Sequence, residues 1–338
     1  MLVGILIVRA FVITGPGTAE VQDVAEPPVR PGEAVVAVER AGVCGTDMEF
    51  FSGEMAYLKT GEAAYPIRIG HEWSGTVAAV GDGVDPSWLG QRVTGDTMLG
   101  CRRCERCRAG RHHLCPDRHE IGIRNGWPGA LAEKLPVPAS ALQPLPDAVD
   151  ATLGALVEPG GNALRAVRAA GLSAGQRLLV VGPGTIGLLV ALIAVSYGWE
   201  THVLGLDPLE FEGIGNAWTL ENLPGQRYDA VIDASTGDEV PSLAVDLVSP
   251  GGRIVYIGLS EAPSLVDTRR IVLRDLSVVG ILGGSSGLAG IIELYAAGTV
   301  DPRPLVAATV GLDDAAAVLS GQRRPEWGSA PKIHIDPR

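Results

Sequence analysis

Gln176-Arg177-Leu178-Leu179-Val180-Val181-Gly182-Pro183-Gly184-Thr185-Ile186-Gly187 carries an apolar block into a glycine-rich turn, and the apolar stretch Leu188 to Tyr197 follows it. An uninterrupted run of Leu and Val reads as a strand buried on both faces, and the longer apolar stretch as a helix packed on it. In that context the GxGxxG spacing of Gly182, Gly184 and Gly187 has a physical meaning. The first glycine permits the tight turn, the second lets backbone approach a pyrophosphate, and the third lets helix and strand pack closely. The helix start at Thr185-Ile186 then presents amide groups to an anion. This stretch predicts a doubly wound, parallel-sheet nucleotide-binding domain.

Downstream the pattern repeats. Thr201 to Leu206 reads as the next strand, with Asp207 closing it about twenty residues beyond Gly187. An acidic residue there binds ribose hydroxyls and repels a 2′-phosphate, and no Arg or Lys directly follows, so NAD is expected in preference to NADP. The plainer reading of Asp207 is a turn residue before Pro208. Strands are expected at Tyr228 to Ala234, Arg253 to Leu259 and Leu276 to Leu282, the last a candidate edge for dimer pairing through Val278-Val279-Gly280-Ile281. The stretch from Asp207 to Tyr228 is short for a full crossover helix plus a strand. A helix-like Leu288 to Ala297 and a final strand Lys332-Ile333-His334-Ile335 are expected to return to the first domain.

Upstream, from Val8 to about Pro144, the texture is different. Ala34-Val35-Val36-Ala37-Val38 follows the turn Pro31-Gly32, and Thr76-Val77-Ala78-Ala79-Val80 ends at Gly81-Asp82-Gly83. Short strands punctuated by Gly and Pro predict a barrel-like antiparallel domain. Between this region and the nucleotide unit, Ala151 to Ala170 has helical composition, interrupted by Pro159-Gly160-Gly161.

This region and the stretch after it also carry chemistry. Cys44-Gly45-Thr46-Asp47, Gly70-His71-Glu72 and Leu156-Val157-Glu158-Pro159 supply a thiolate, an imidazole and two carboxylates. Such a donor set suits a catalytic zinc with a position left for water or substrate. Taken singly, Cys44 is as readily a buried core thiol, His71 a structural histidine and Glu72 a surface charge. Cys101, Cys104, Cys107 and Cys115 form a tighter pattern, four thiolates within fifteen residues. Four sulfurs complete a tetrahedral structural zinc and leave no open position. Arg102, Arg103, Arg106, Arg108 and Arg111 surround that lobe. They read as solvated charges offsetting a tetrathiolate zinc, or as a basic contact patch.

The chain has 338 residues, 46% apolar and 20% charged, with a formal net charge of -12. That length favours two domains, and the acidity argues against a nucleic-acid partner and for a small-molecule substrate. The five cysteines divide as four plus one, which suits metal ligation better than disulfides and fits a cytoplasmic protein. Met1 to Val8 is apolar but too short to span a membrane, so no membrane association is expected; an edge strand or a few leading residues is the plain reading.

The ordered set of Cys44-Gly45-Thr46-Asp47, Gly70-His71-Glu72-x2-Gly75, the four-cysteine lobe, Glu158-Pro159 and the GxGxxG turn resembles the zinc-dependent medium-chain alcohol and polyol dehydrogenases, over nearly the whole chain. The carboxylates near the metal resemble the sorbitol and threonine dehydrogenase branch. The resemblance implies an α/β protein with a barrel-like (GroES-like) catalytic domain, residues 1–152 completed by 288–338, and a Rossmann domain, residues 153–287, with the active cleft between them. It implies two Zn2+ per chain, one catalytic on Cys44, His71 and Glu72 or Glu158, and one structural on Cys101, Cys104, Cys107 and Cys115. It makes Thr46 the hydroxyl that accepts the alcohol proton and places Asn162 near the nicotinamide. Glu49 stands where many relatives carry a proton-relaying His. The implied activity is NAD-dependent oxidation of a secondary alcohol, a polyol, cyclitol or sugar, to a ketone by a homodimer or homotetramer. Two alternatives stay open: a threonine or amino-alcohol dehydrogenase, and a noncatalytic zinc-stabilised nucleotide-binding protein. Phe51, Trp73 and Trp127 are candidate pocket aromatics or ordinary core residues.

Overall fold

The structure is a computed structural model that describes residues 6–209 and 211–338. Residues 1–5, most of the apolar leading stretch, lie outside that description; Ile7 already belongs to a strand. Contacts divide the chain into two units, residues 1–158 with 303–338, and residues 159–302.

In the first unit Ile7–Gly15 and Thr18–Ala25 form an antiparallel hairpin. The main sheet runs Val306–Gly311, Lys332–Asp336, Glu33–Gly42, Glu72–Val80, Arg92–Gly95, Leu142–Pro144, with Lys134–Pro138 also paired to Glu33–Gly42. Its pairings are antiparallel except for that of Val306–Gly311 with Lys332–Asp336. Phe11, Ile13, Phe50, Ile69, Trp73, Ile121, Leu131 and Leu135 fill the core and are fully buried. Trp73 is therefore a core residue, and Phe51 and Trp127 pack half-buried against the same core. The C-terminal strand inserts beside Glu33–Gly42, with His334 opposite Gly42.

The second unit is a six-stranded parallel sheet in the order Asn216–Thr219, Glu200–Gly205, Arg177–Val181, Tyr228–Asp233, Val248–Tyr256, Ser277–Gly280. The order reverses between Arg177–Val181 and Tyr228–Asp233, the switch point of a doubly wound sheet. Its first crossover is the helix Thr185–Ser196. Among the described residues no helix separates Glu200–Gly205 from Asn216–Thr219, so the short segment makes its strand without the usual crossover helix. Ile214 in that segment is buried, 1% exposed, and a Cβ on Gly213 would lie 3.3 Å from Leu192 Cδ2 in the helix Thr185–Ser196.

The expected break at Pro159-Gly160-Gly161 does not occur. Helix Val157–Ala170 runs through all three residues, and the interruption falls at Leu156, after the helix Ala151–Ala155. Pro159 sits in the first helical turn, where an amide hydrogen has no intrahelical partner to lose. Gly160 and Gly161 serve packing instead: a Cβ on Gly160 would lie 2.3 Å from the Tyr295 hydroxyl, and one on Gly161 2.9 Å from Leu288 Cδ2. Those contacts seat the helix Leu288–Ala296 in the second unit, and the chain rejoins the first unit at Arg303. No helix among the described residues is long and apolar enough to cross a membrane.

Candidate functional site

The end of strand Glu33–Gly42 delivers Cys44 to the start of helix Gly45–Ser52. Asp47, in the first turn of that helix, folds back so that its Oδ2 accepts from the Cys44 amide at 3.0 Å and its Oδ1 from the Gly70 amide at 3.2 Å. This fully buried carboxylate ties the thiol-bearing turn to the segment bearing His71. Cys44 Sγ then lies 3.1 Å from His71 Nε2, and His71 Nδ1 lies 3.6 Å from Asp47 Oδ1, an electrostatic neighbour rather than a hydrogen-bond partner. Thr97 Oγ1 donates to the His71 carbonyl at 3.0 Å and fixes the backbone.

The electrostatics are those of a cation site. Burial works against the His71 imidazolium, but the thiolate of Cys44 and the carboxylate of Asp47 outweigh it and hold the ring's pKa well above its ordinary value. For Asp47, burial pushes the carboxyl up, while His71 and the Cys44 amide bring it below the usual range. A buried imidazole held protonated between a sulfur and a carboxylate marks a place where a metal ion would displace its proton. Two donor groups meet at His71: Cys44, Asp47 and His71, and His71, Glu72 and Glu158, the ligand atoms within each group lying within 4.8 Å of one another. Glu72 and Glu158 are both buried. The donor types fit zinc, with His71 the shared member.

Thr46 is half-buried in the first turn of the same helix, and its hydroxyl has no hydrogen-bond partner among the described residues. Glu49 is exposed, three residues further along. That spacing puts both on one helix face.

In the lobe, Cys101, Cys104, Cys107 and Cys115 bring their sulfurs within 4.8 Å of one another, and none is in a disulfide. Cys104 Sγ and Cys115 Sγ are 3.8 Å apart, a separation suited to two ligands of one ion and too long for a bond. The Arg103 and Cys104 amides pull the Cys101 thiol down to about 6. All five arginines of the stretch are exposed.

In the second unit Gly182 has φ +98, and a Cβ there would strike the Ala234 backbone at 2.9 Å. At Gly187 it would lie 1.9 Å from the Gly182 carbonyl oxygen. Gly184 caps the helix with no protein atom within 4 Å of a built Cβ, so backbone is open there to a ligand. The amides of Thr185, Ile186 and Gly187 precede the first intrahelical bond, from the Leu188 amide to the Gly184 carbonyl. Asp207 is exposed two residues past the strand end, and Asn162 is half-buried four residues after Glu158.

Sequence reasoning missed three features. Asp47 reads as a helix cap, yet it braces Cys44 and Gly70. Lys332, 1% exposed, reads as one member of a strand, yet its ammonium meets Glu72; a lone Lys in an apolar terminal strand was the available signal. A cavity of about 380 Å³ at the carboxyl ends of Tyr228–Asp233 and Val248–Tyr256 is lined by Asp233, Ser235, Tyr256 and Gly258, where open parallel sheets take their ligands. Burial raises the Asp233 carboxyl, and burial with Asp233 nearby pushes the Tyr256 hydroxyl up to about 12.

Over residues 30–147 the chain matches the alcohol dehydrogenase GroES-like domain family, and over residues 216–297 the zinc-binding dehydrogenase family. It is 28% identical over 332 residues to an L-threonine 3-dehydrogenase of Rhizobium johnstonii, across 93% of this chain and 94% of that protein. It is 30% identical over 278 residues to an L-threonine 3-dehydrogenase of Idiomarina loihiensis, across 77% of this chain and 80% of that protein. Among solved structures, a protein of Sinorhizobium meliloti 1021 described as a zinc-binding dehydrogenase and bound to NADP superposes with a TM-score of 0.87 at 27% identity, covering 98% of this chain and 100% of that one.

Proposed function

Because the chain belongs to the zinc-binding dehydrogenases with a GroES-like alcohol dehydrogenase domain, we propose that it oxidises a secondary alcohol reversibly to a ketone with a nicotinamide coenzyme. The observation that carries this reading is the meeting of thiol, imidazole and carboxylates around His71 in a chain that also holds a strand-turn-helix nucleotide unit. Cys44, His71 and the carboxylates Glu72 and Glu158 would hold the catalytic zinc, and Cys101, Cys104, Cys107 and Cys115 the structural one. When bound, the catalytic zinc supplies Lewis-acid polarisation of the alcohol oxygen.

The remaining work belongs to the chain. Asp47 holds the Cys44 turn against Gly70 so that thiol and ring stay in contact. Thr46 takes the alcohol proton at its hydroxyl, and Glu49, on the same helix face and in water, accepts it onward. The amides of Thr185, Ile186 and Gly187 bind the coenzyme pyrophosphate, with Gly182 and Gly184 clearing space for its approach. Asp207 takes the adenosine ribose and favours NAD, and Asn162 orients the nicotinamide. Positioning carbinol carbon and coenzyme ring together lowers the entropic cost of hydride transfer.

Polyols, cyclitols and sugars are the preferred substrates of this reading, since carboxylates rather than a second thiolate attend the metal. A second reading, a threonine-like amino alcohol, is favoured by the names of the curated relatives, which oxidise a secondary alcohol beside an amino group. Cytoplasmic residence is supported by five cysteines outside any disulfide. A homodimer or homotetramer is supported by the edge strand Ser277–Gly280, beside which Val278 and Leu282 are exposed. The test is reduction of NAD and of NADP, followed by the absorbance of the reduced coenzyme, across polyols, cyclitols, sugars and amino alcohols, with zinc quantified on the same sample. Turnover confined to one class with zinc at both clusters supports the reading. Absence of turnover with any substrate, in protein carrying both metals, overturns it in favour of a noncatalytic nucleotide-binding protein.

A further inference from the structure

We propose that a cavity of about 280 Å³ in the first unit, lined by Arg68, Gln22 and Trp127, is a binding site for a small organic carboxylate with an apolar, ring-sized body. None of its lining residues belongs to either donor group at His71. The inference therefore goes beyond the proposed function and stands whatever reaction that centre performs.

The first observation is a charge without a counter-ion. Arg68 is half-buried against the cavity, and its guanidinium makes no hydrogen bond or ion pair with any described residue. A guanidinium stays protonated throughout the range in which proteins are folded, so the charge cannot be shed. Burial alone acts on it and lowers its pKa, with no carboxylate to compensate. Two other half-buried arginines of the same unit are matched: Arg118 Nε donates to Glu120 Oε1 at 2.7 Å, and Arg124 meets Glu62. A carboxylate entering the cavity would accept two parallel N–H bonds from Arg68 and supply the missing partner.

The second is that the walls are held before any ligand arrives. Ile67 exchanges two backbone hydrogen bonds with Ile13 of the hairpin, both at 2.9 Å, and the Arg68 carbonyl accepts from the Gly129 amide at 2.9 Å. These bonds join the hairpin, the segment carrying Arg68 and the loop carrying Trp127. Trp127 Nε1 donates to the Pro136 carbonyl at 2.9 Å, which fixes the indole. A wall fixed in advance lowers the cost of ordering on binding.

The third is the chemistry of the lining. Val12 and Val24 face the space from the hairpin and Trp127 from the loop, so the body of a ligand meets apolar surface. Gln22 spends one amide hydrogen on Glu20 Oε1 at 2.7 Å and retains the other, with its carbonyl, for a polar group of the ligand. The volume falls just under the roughly 300–1,000 Å³ of pockets for drug-sized molecules, which suits a single ring. One guanidinium among apolar walls selects a carboxylate monoanion over a phosphate dianion, which asks for more donors than Arg68 supplies.

The test titrates the full chain with para-fluorobenzoate, followed by fluorine NMR. Para-fluorobenzamide serves as the neutral isostere and inorganic phosphate as a competitor, and the parent is compared with Arg68→Leu, Ala64→Phe and Cys44→Ser. The parent is expected to bind the carboxylate saturably and the amide not at all. Arg68→Leu is expected to lose roughly tenfold to a hundredfold in affinity, as removal of a charged hydrogen-bond donor does. Ala64 is exposed and lines the same cavity, so Ala64→Phe is expected to abolish binding by filling it; this variant decides if Arg68→Leu fails to fold. Cys44→Ser is expected to bind as the parent does. Absence of saturable binding in the parent, an affinity unchanged by Arg68→Leu and Ala64→Phe, or equal binding of the amide overturns the proposal. Loss of binding in Cys44→Ser overturns it too, by moving the carboxylate to the His71 centre. Phosphate that displaces the probe at equal concentration overturns the assignment to a carboxylate.

Discussion

At the residue scale, the centre depends on a few side chains whose loss has separable consequences. Cys44 contributes a thiol to the His71 centre and nothing to the four-cysteine lobe. Cys44→Ser is therefore expected to abolish turnover while zinc analysis still finds the lobe's metal; full activity of this variant would falsify the ligand assignment. His334 offers a different prediction. It is fully buried, and neither ring nitrogen has a hydrogen-bond partner. Burial, then the charges of Lys332 and Arg40, lower its pKa from 6.5 to about 3. The unfolded chain takes up a proton below about 6.5 and the folded chain does not until about 3, so the folded state loses stability as pH falls through that window. The slope is about 1.4 kcal/mol per pH unit at most. His334→Leu removes both the slope and two unsatisfied polar atoms. Thermal melts between neutral pH and the acid limb are expected to show a shallower loss for the variant, and an unchanged slope counts against the assignment.

At the scale of elements, the glycine turn separates packing from binding. Gly187 admits the helix Thr185–Ser196 to within van der Waals contact of the Gly182 carbonyl, and no flexible side chain is there to yield. Gly187→Ala is expected to cost about 1–3 kcal/mol and to weaken coenzyme binding. Gly184 meets no protein atom, and its φ of -76 suits alanine. Gly184→Ala is expected to leave the melting temperature close to the parent's while weakening coenzyme affinity, because the added methyl occupies the approach of the pyrophosphate. Calorimetry and a coenzyme titration on both variants distinguish the two roles; a destabilised Gly184→Ala or a full-affinity Gly187→Ala contradicts them. The helix Val157–Ala170 makes the complementary point. Its Pro-Gly-Gly reads locally as a break, yet the proline falls where helices tolerate it and the glycines admit Tyr295 and Leu288.

At the scale of the whole molecule, the four-cysteine lobe carries little structure of its own. Its only ladder among the described residues joins Met98–Leu99 to His119–Glu120. If the four cysteines hold a zinc as proposed, chelation is expected to strip amide protection from residues 97–121 while the six-stranded sheet of the second unit keeps it, by hydrogen exchange, because such a zinc would supply the lobe's folding energy. Uniform loss of protection across the chain contradicts a local role for that metal.

The fold class was legible in the sequence, and so were the residues that the structure gathers as candidate metal donors, because both rest on local chemistry. Strand, glycine turn and helix are contiguous over residues 176–197, and the four cysteines lie within fifteen residues. The sequence also showed that residues 207–228 are too few for a crossover helix, and the Asn216–Thr219 strand is reached without one. What only the tertiary structure decided are contacts between residues far apart in the chain. The pairing of Lys332 with Glu72 spans 260 residues and depends on the register of three strands. The bracing of Gly70 by Asp47 depends on two segments meeting at the floor of the site. Such contacts leave no periodicity or spacing in the sequence, since a buried charge is stabilised by whichever partner the fold brings to it.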